Sequence, residues 1–262
     1  MRNDGPSLAL YALPTALTLG SVLCGFQAIL LCLGQPDGAR LSQAALYIAL
    51  AMLFDIVDGR LARLTGTTSE FGVQIDSLAD LSSFGVAPAV LAYRWGLEPL
   101  GALGVAGAFL YLACGAIRLA RYNVKENAKK VREALDRQAE RAVPPGAPDR
   151  YIVGLPIPGG AGVLVSVVVA APRLGLDSPE PWALFGATVG TSVLMISTIP
   201  FRGLKSLRQD RLTYFWLLLA LGGGALLALG GEPRVGLAWV LMAYVLISVG
   251  EAAVKALAAR RP

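Results

Sequence analysis

Histidine is missing altogether from the 262 residues. Its absence excludes Ser-His-Asp and Cys-His catalysis, phosphohistidine carriers and most zinc sites, all of which need an imidazole. Cysteine is scarce, and Cys24, Cys32 and Cys114 all sit in apolar runs, where they read as small hydrophobes rather than a disulfide framework. Charge is thin as well, at 16% of residues against 55% hydrophobic, with a mean hydropathy of +0.59. That balance excludes an ordinary soluble domain and points to a polytopic membrane protein. The net charge of +5 then marks membrane ends rather than a nucleic-acid surface. Any chemistry must run on carboxylates, arginines and metals that prefer oxygen.

What the chain does have is long apolar runs. Residues 8–33 read as a retained first transmembrane helix, since no small-residue cleavage site follows the run, and Pro14, Thr15, Thr18 and Ser21 make its first half kinked or polar on one side. After a turn at 34–41, a second helix starts near Ser42 and runs into Asp55 and Asp58. Ser69 and Glu70 look like a capped start for a third, which carries Asp76 and Asp80 and continues to about Tyr93. A fourth ends in RLARYN, residues 118–123. The charged stretch from Val124 to Arg150 holds Val124, Ala128, Val131, Leu135 and Ala142 at helical spacing, which fits a helix on the inner leaflet or a solvated one. Four further spans fall near 152–171, 181–200, 212–229 and 235–254.

The expectation is therefore an all-α membrane bundle of about eight transmembrane helices. It forms a single domain, 1–262, with a catalytic core at about 8–200, a cytosolic charged segment at 124–150 and two extra helices at about 212–254. With the N-terminus inside, nineteen Lys and Arg fall in inner segments and only Arg40, Arg94, Arg173 and Arg234 in outer turns. So strong an asymmetry places both termini in the cytosol. The second helix then descends to the inner face and the third rises from it, so their aspartates meet there.

Those aspartates are the chemically informative feature. Asp55 and Asp58 are three apart and Asp76 and Asp80 four apart, and each spacing puts a pair on one helix face. A carboxylate in a membrane span costs roughly 2.5–3.5 kcal/mol at the helix centre, less near the interface. Four together are tolerable if they hold a cation, and oxygen-only ligands favour hard divalent ions; four carboxylates from two helices can hold two. Such ions suit phosphoryl chemistry. Gly59, Ala62 and Gly72 leave room for a nucleotide against the helix backbones, and Arg63 can fork onto a phosphate.

The same residues fill every fixed place of DxxDGxxAR, eight residues, GxxxDxxxD, which resembles the signature of the CDP-alcohol phosphotransferases. Eight fixed positions coincide by chance on the order of once in 10^9 starts at ordinary residue frequencies. The resemblance implies a membrane enzyme that moves a phosphatidyl group from a CDP-linked lipid to an alcohol and releases CMP. By position it implies that Asp55, Asp58, Asp76 and Asp80 bind Mg2+ or Mn2+, two ions in all, and that Asp80 is also the general base. It puts Gly59, Ala62, Arg63 and Gly72 at the CDP site.

The stretches at 13–26, 69–89, 113–124 and 151–162 are similar to the integral-membrane phosphatidylserine synthases. Thr15 and Ser21 depart from the asparagines expected in that group's first helix, and Gly159 and Gly160 from its alanines. The implied partners are CDP-diacylglycerol, L-serine and membrane lipids, with a homodimer left open and an active site facing the cytosol from the inner membrane. Arg118, Arg121 and Asn123 are the candidates for holding the acceptor or a phosphate. Other acceptors remain open, namely glycerol 3-phosphate, inositol phosphate or choline. A divalent-cation transporter is the rival from another class, and it predicts acidic residues spread through the bilayer depth rather than gathered at one face.

Overall fold

The protein is described here from a computed structural model, which covers residues 8–34, 37–67, 69–138, 151–171 and 179–202, with scattered positions between 222 and 250. Helix α1 (Leu8–Leu33) holds Pro14, whose ring leaves the carbonyl four residues back without its helical donor. Helix α2 (Gly38–Leu64) begins earlier than the apolar pattern suggests, because the Asp37 side chain caps it by accepting from the Ala39 N–H at 3.2 Å. It stops where the Thr65 N–H and hydroxyl both turn back to the Leu61 carbonyl and Gly66 enters the left-handed region at φ +66°. Helix α3 (Glu70–Asp80) starts as expected, with Ser69 Oγ accepting from the Gly72 N–H at 3.0 Å.

The span that begins with α3 reaches Leu100 but is not one regular helix. Wide π-turns at Leu81–Val86 and Tyr93–Leu97 flank α4 (Ala87–Ala92). Pro88 explains the first irregularity, since it has no N–H to offer the Phe84 carbonyl. The buried Tyr111 hydroxyl, from the next helix, donates to that oxygen at 3.1 Å instead. Helix α5 (Ala102–Gln138) is 37 residues, about 55 Å at 1.5 Å per residue. It carries the first part of the charged segment as its own unbroken continuation; residues 139–150, with Ala142, lie outside the described residues.

Helices α6 (Ile157–Ala170) and α7 (Pro181–Ile196) occupy the fifth and sixth expected spans but are shorter, at 14 and 16 residues. The expected segments lose residues to a small antiparallel ladder, β1 (Tyr151–Val153) against β2 (Pro200–Arg202), the one pair of strands among the described residues. Gly154 makes the turn out of β1 at φ +79°, where an added Cβ would strike the Met195 carbonyl. Among the described residues four helices are long and apolar enough to cross a membrane: α1, α2, the Glu70–Leu100 span and the first part of α5. The expected spans at 212–229 and 235–254 fall largely outside those residues.

Burial follows a lipid-facing logic. Leu13, Leu19, Leu23, Phe26 and Leu30 on α1 and Phe109 and Ile117 on α5 are exposed, while Ile48, Phe84, Leu91, Tyr111, Ile157, Leu164 and Met195 fill the interior. Large apolar side chains turned outward along whole helices are what a bilayer stabilises and water does not. Arg94, counted from the sequence among the outer-turn charges, ties the far end of α1. Its guanidinium donates to the carbonyls of Cys32 and Gly34 and pairs with Glu98 at 2.7 Å. Those contacts satisfy carbonyls that the helix end leaves without partners.

Candidate active site

The site forms between the second half of α2 and the second half of α3. The connection between them is only Thr65–Ser69, and α3 packs chiefly on α1 and on the π-turn that follows it. Asp55 on α2 and Asp76 and Asp80 on α3 each present a carboxylate oxygen, and the three oxygens lie within 4.8 Å of one another. All three residues are half-buried. Like charges this close repel unless a cation sits among them, and three converging carboxylate oxygens are the donor set a hard divalent ion takes. The residues therefore fit a metal.

Asp58, the fourth sequence-predicted member, stands apart from that trio. It is 3% exposed, and one carboxylate oxygen, Oδ2, accepts from the Thr18 hydroxyl of α1 at 2.7 Å. The other, Oδ1, is buried and makes no hydrogen bond among the described residues. It remains an electrostatic neighbour of Asp55, Asp76 and Asp80.

Gly59, next after Asp58 and one turn beyond Asp55, has open space where a side chain would project: among the described residues a Cβ there would meet only Arg63 Nη2, at 3.9 Å. A glycine in a helix interior costs about 1 kcal/mol relative to alanine. Neither a close neighbouring backbone nor a positive φ requires it here. The vacancy lies on the same helix as Asp55 and Asp58, with Ala62 half-buried and Arg63 exposed beside it. Gly72 is different, since its Cβ would press on the capping Ser69 hydroxyl at 3.2 Å, so it also serves the start of α3.

The three acceptor candidates on α5 take distinct places. Arg118 is buried, lies 5.7 Å over the Tyr122 ring and is an electrostatic neighbour of Asp80. Arg121 is exposed and donates to the Ile196 carbonyl at 3.1 Å, closing the end of α7. Asn123 donates through Nδ2 to Ser77 Oγ at 2.9 Å, and so joins α5 to the residue beside Asp76. Thr18 is a polar partner of Asp58 that motif spacing does not reveal, and Ser77, next to Asp76, is the residue that Asn123 reaches. For Thr18 the available signal was the polar side of the first helix.

The profile of the CDP-alcohol phosphatidyltransferase family matches residues 11–194. A protein of Helicobacter pylori named CDP-diacylglycerol--serine O-phosphatidyltransferase is 31% identical over 218 residues, 82% of either chain. One of the same name from Bacillus subtilis is 30% identical over 76% of this chain and 95% of its own. An archaetidylserine synthase of Methanothermobacter thermautotrophicus is 33% identical over 77% of this chain and 74% of its own.

Proposed function

The chain belongs to the CDP-alcohol phosphatidyltransferase family, and from that premise we propose that it transfers the phosphatidyl group of CDP-diacylglycerol to the hydroxyl of L-serine. The products are phosphatidylserine and CMP. The observation that carries the chemistry is the convergence of Asp55, Asp76 and Asp80, with the open space at Gly59 one helical turn along α2 from Asp55. Serine as acceptor is supported by the names of the three relatives, each of which covers three quarters or more of this chain.

In this reading the four aspartates bind two Mg2+ or Mn2+ ions, with Asp58 joining the trio through its unpartnered oxygen. Bound there, divalent ions supply charge neutralisation at the diphosphate oxygens. Gly59, Ala62 and Gly72 give the cytidine diphosphate close access to the helix backbones, and Arg63 holds a phosphate by a forked hydrogen bond. Asp80 takes the proton from the serine hydroxyl. The serine oxygen bonds to the lipid-linked phosphorus, and the bond from that phosphorus to the CMP oxygen breaks. Arg118 is the best placed of the α5 residues to meet the serine carboxylate, being buried and near Asp80; Arg121 and Asn123 frame the same end of α5.

Eight spans with both termini in the cytosol complete the proposal, supported by the distribution of Lys and Arg along the chain. The acidic cluster then opens to the cytosolic side of the inner membrane, where serine enters and CMP leaves. Purified protein given CDP-diacylglycerol, Mn2+ and single acceptors tests the assignment. CMP release with serine, and not with glycerol 3-phosphate, inositol phosphate or choline, is the expected result. Release with one of the others but not with serine overturns the acceptor.

A further inference from the structure

Helix α1 contributes no acidic residue, yet it reaches the acidic cluster through one hydroxyl. Thr18 Oγ1 lies 2.7 Å from Asp58 Oδ2 and 3.1 Å from the Pro14 carbonyl oxygen. A hydroxyl has a single proton to give. The shorter contact, to an ionised carboxylate, is charge-assisted and roughly twice as strong as a neutral one, so the proton goes to Asp58. Both side chains are buried, and threonine, branched at Cβ, has few ways to swing away.

The consequence falls on the other oxygen. Asp58 Oδ1 is buried and has no hydrogen-bond donor among the described residues, an arrangement that normally costs about 1–3 kcal/mol and more for a charged group. A carboxylate with one oxygen satisfied and the other left bare is poised to take a cation on the bare side. The side-chain hydrogen bond that holds its orientation comes from a different helix, forty positions away in the chain, beside a contact from the adjoining Gly59 backbone.

We propose that Thr18 is a positioning residue for Asp58: by holding Oδ2 through its hydroxyl it turns Oδ1 to the Asp55, Asp76 and Asp80 cluster, so that α1 sets the affinity of the site for a divalent ion. This deepens the metal-binding reading above and rests on it. It makes the α1–α2 packing part of the site rather than scaffolding around it.

Binding of Mn2+ to the full chain in detergent, followed by the electron paramagnetic resonance signal of the free ion, tests this without requiring turnover. Thr18→Val keeps the shape and removes the hydroxyl; Thr18→Ser keeps the hydroxyl and removes the methyl. Expected is a loss of Mn2+ affinity of about 10- to 100-fold in the valine variant, the range seen when a partner that orients a metal ligand is removed. The serine variant is expected to bind nearly as the unaltered chain does. In parallel, the Mn2+ concentration for half-maximal CMP release rises in Thr18→Val while KM for serine does not. Should the valine variant aggregate, Thr18→Ala is held to the same expectation. Undiminished Mn2+ affinity without the hydroxyl overturns the inference, and so does a serine variant as weak as valine, which would assign the effect to packing. Failure of the unaltered chain to bind Mn2+ overturns the metal-binding reading itself, and this inference with it.

Discussion

At the scale of single residues, the account turns on which aspartate does what. Asp80→Asn keeps the size of the side chain and removes its capacity to accept a proton. Its turnover should fall by about 10^2- to 10^4-fold, the usual contribution of a general base. Binding of CDP-diacylglycerol should persist, and parallel measurements of CMP release and lipid binding check both. Gly59→Ala is the complementary change. Nothing among the described residues opposes a methyl there, and the helix gains about 1 kcal/mol of propensity, so the fold should be at least as stable. If the space belongs to the nucleotide, KM for CDP-diacylglycerol should rise by about tenfold, a loss near 1.4 kcal/mol, with an unaltered or higher melting temperature. An unchanged KM would show that the nucleotide lies elsewhere.

The convergence of Asp55, Asp76 and Asp80 was legible from spacing because carboxylates in an apolar chain stand out and helical periodicity fixes which can share a face. Asp58's distinct place was not. Three positions from Asp55, it shares a helix face by spacing alone, and only the fold brings Thr18 of another helix onto its Oδ2. Asn123 was singled out for a substrate role by its position after the arginines. Its bond to Ser77 depends on how α5 packs on α3, which no local pattern encodes.

At the scale of elements, the Glu70–Leu100 span shows what holds an irregular helix inside a membrane. Pro88 leaves the Phe84 carbonyl without its helical donor, and in a water-poor interior that group needs a replacement. Tyr111 provides it from α5. Tyr111→Phe should therefore cost about 1–3 kcal/mol, the penalty for a buried acceptor left unmade. A lower thermal midpoint in detergent, with CMP release retained at low temperature, is the expected outcome; an unchanged midpoint would mean that another donor serves Phe84.

The boundaries of α1 and the start of α3 were readable, since an apolar run and a Ser69 cap announce them, while the break after Asp80 was not. The start of α2 was not, because Asp37 in a polar turn looks like loop until its side chain is seen capping Ala39. The β1–β2 ladder escaped for a related reason. Tyr151–Val153 and Pro200–Arg202 are three residues each, and the apolar ones among them read as the ends of neighbouring spans.

At the scale of the whole molecule, the fold gathers Asp55, Asp76 and Asp80 into one cluster and turns broad apolar faces outward. That arrangement suits an enzyme that draws a lipid from the bilayer and a small acceptor from water. It is unlike an ion path, whose charged groups would continue through the depth of the membrane. Membership of the family is carried by residues 11–194, a stretch that includes α1 through most of α7 and therefore every residue assigned to the site. The central claim is that the cluster transfers a phosphatidyl group to serine with the help of a divalent ion. Its most direct test follows radiolabelled serine into organic-extractable lipid alongside CMP release from CDP-diacylglycerol. The account predicts one labelled phosphatidylserine per CMP, with both abolished by EDTA and restored by Mn2+ or Mg2+. Label appearing in lipid without CDP-diacylglycerol, or at an undiminished rate in EDTA, would contradict it.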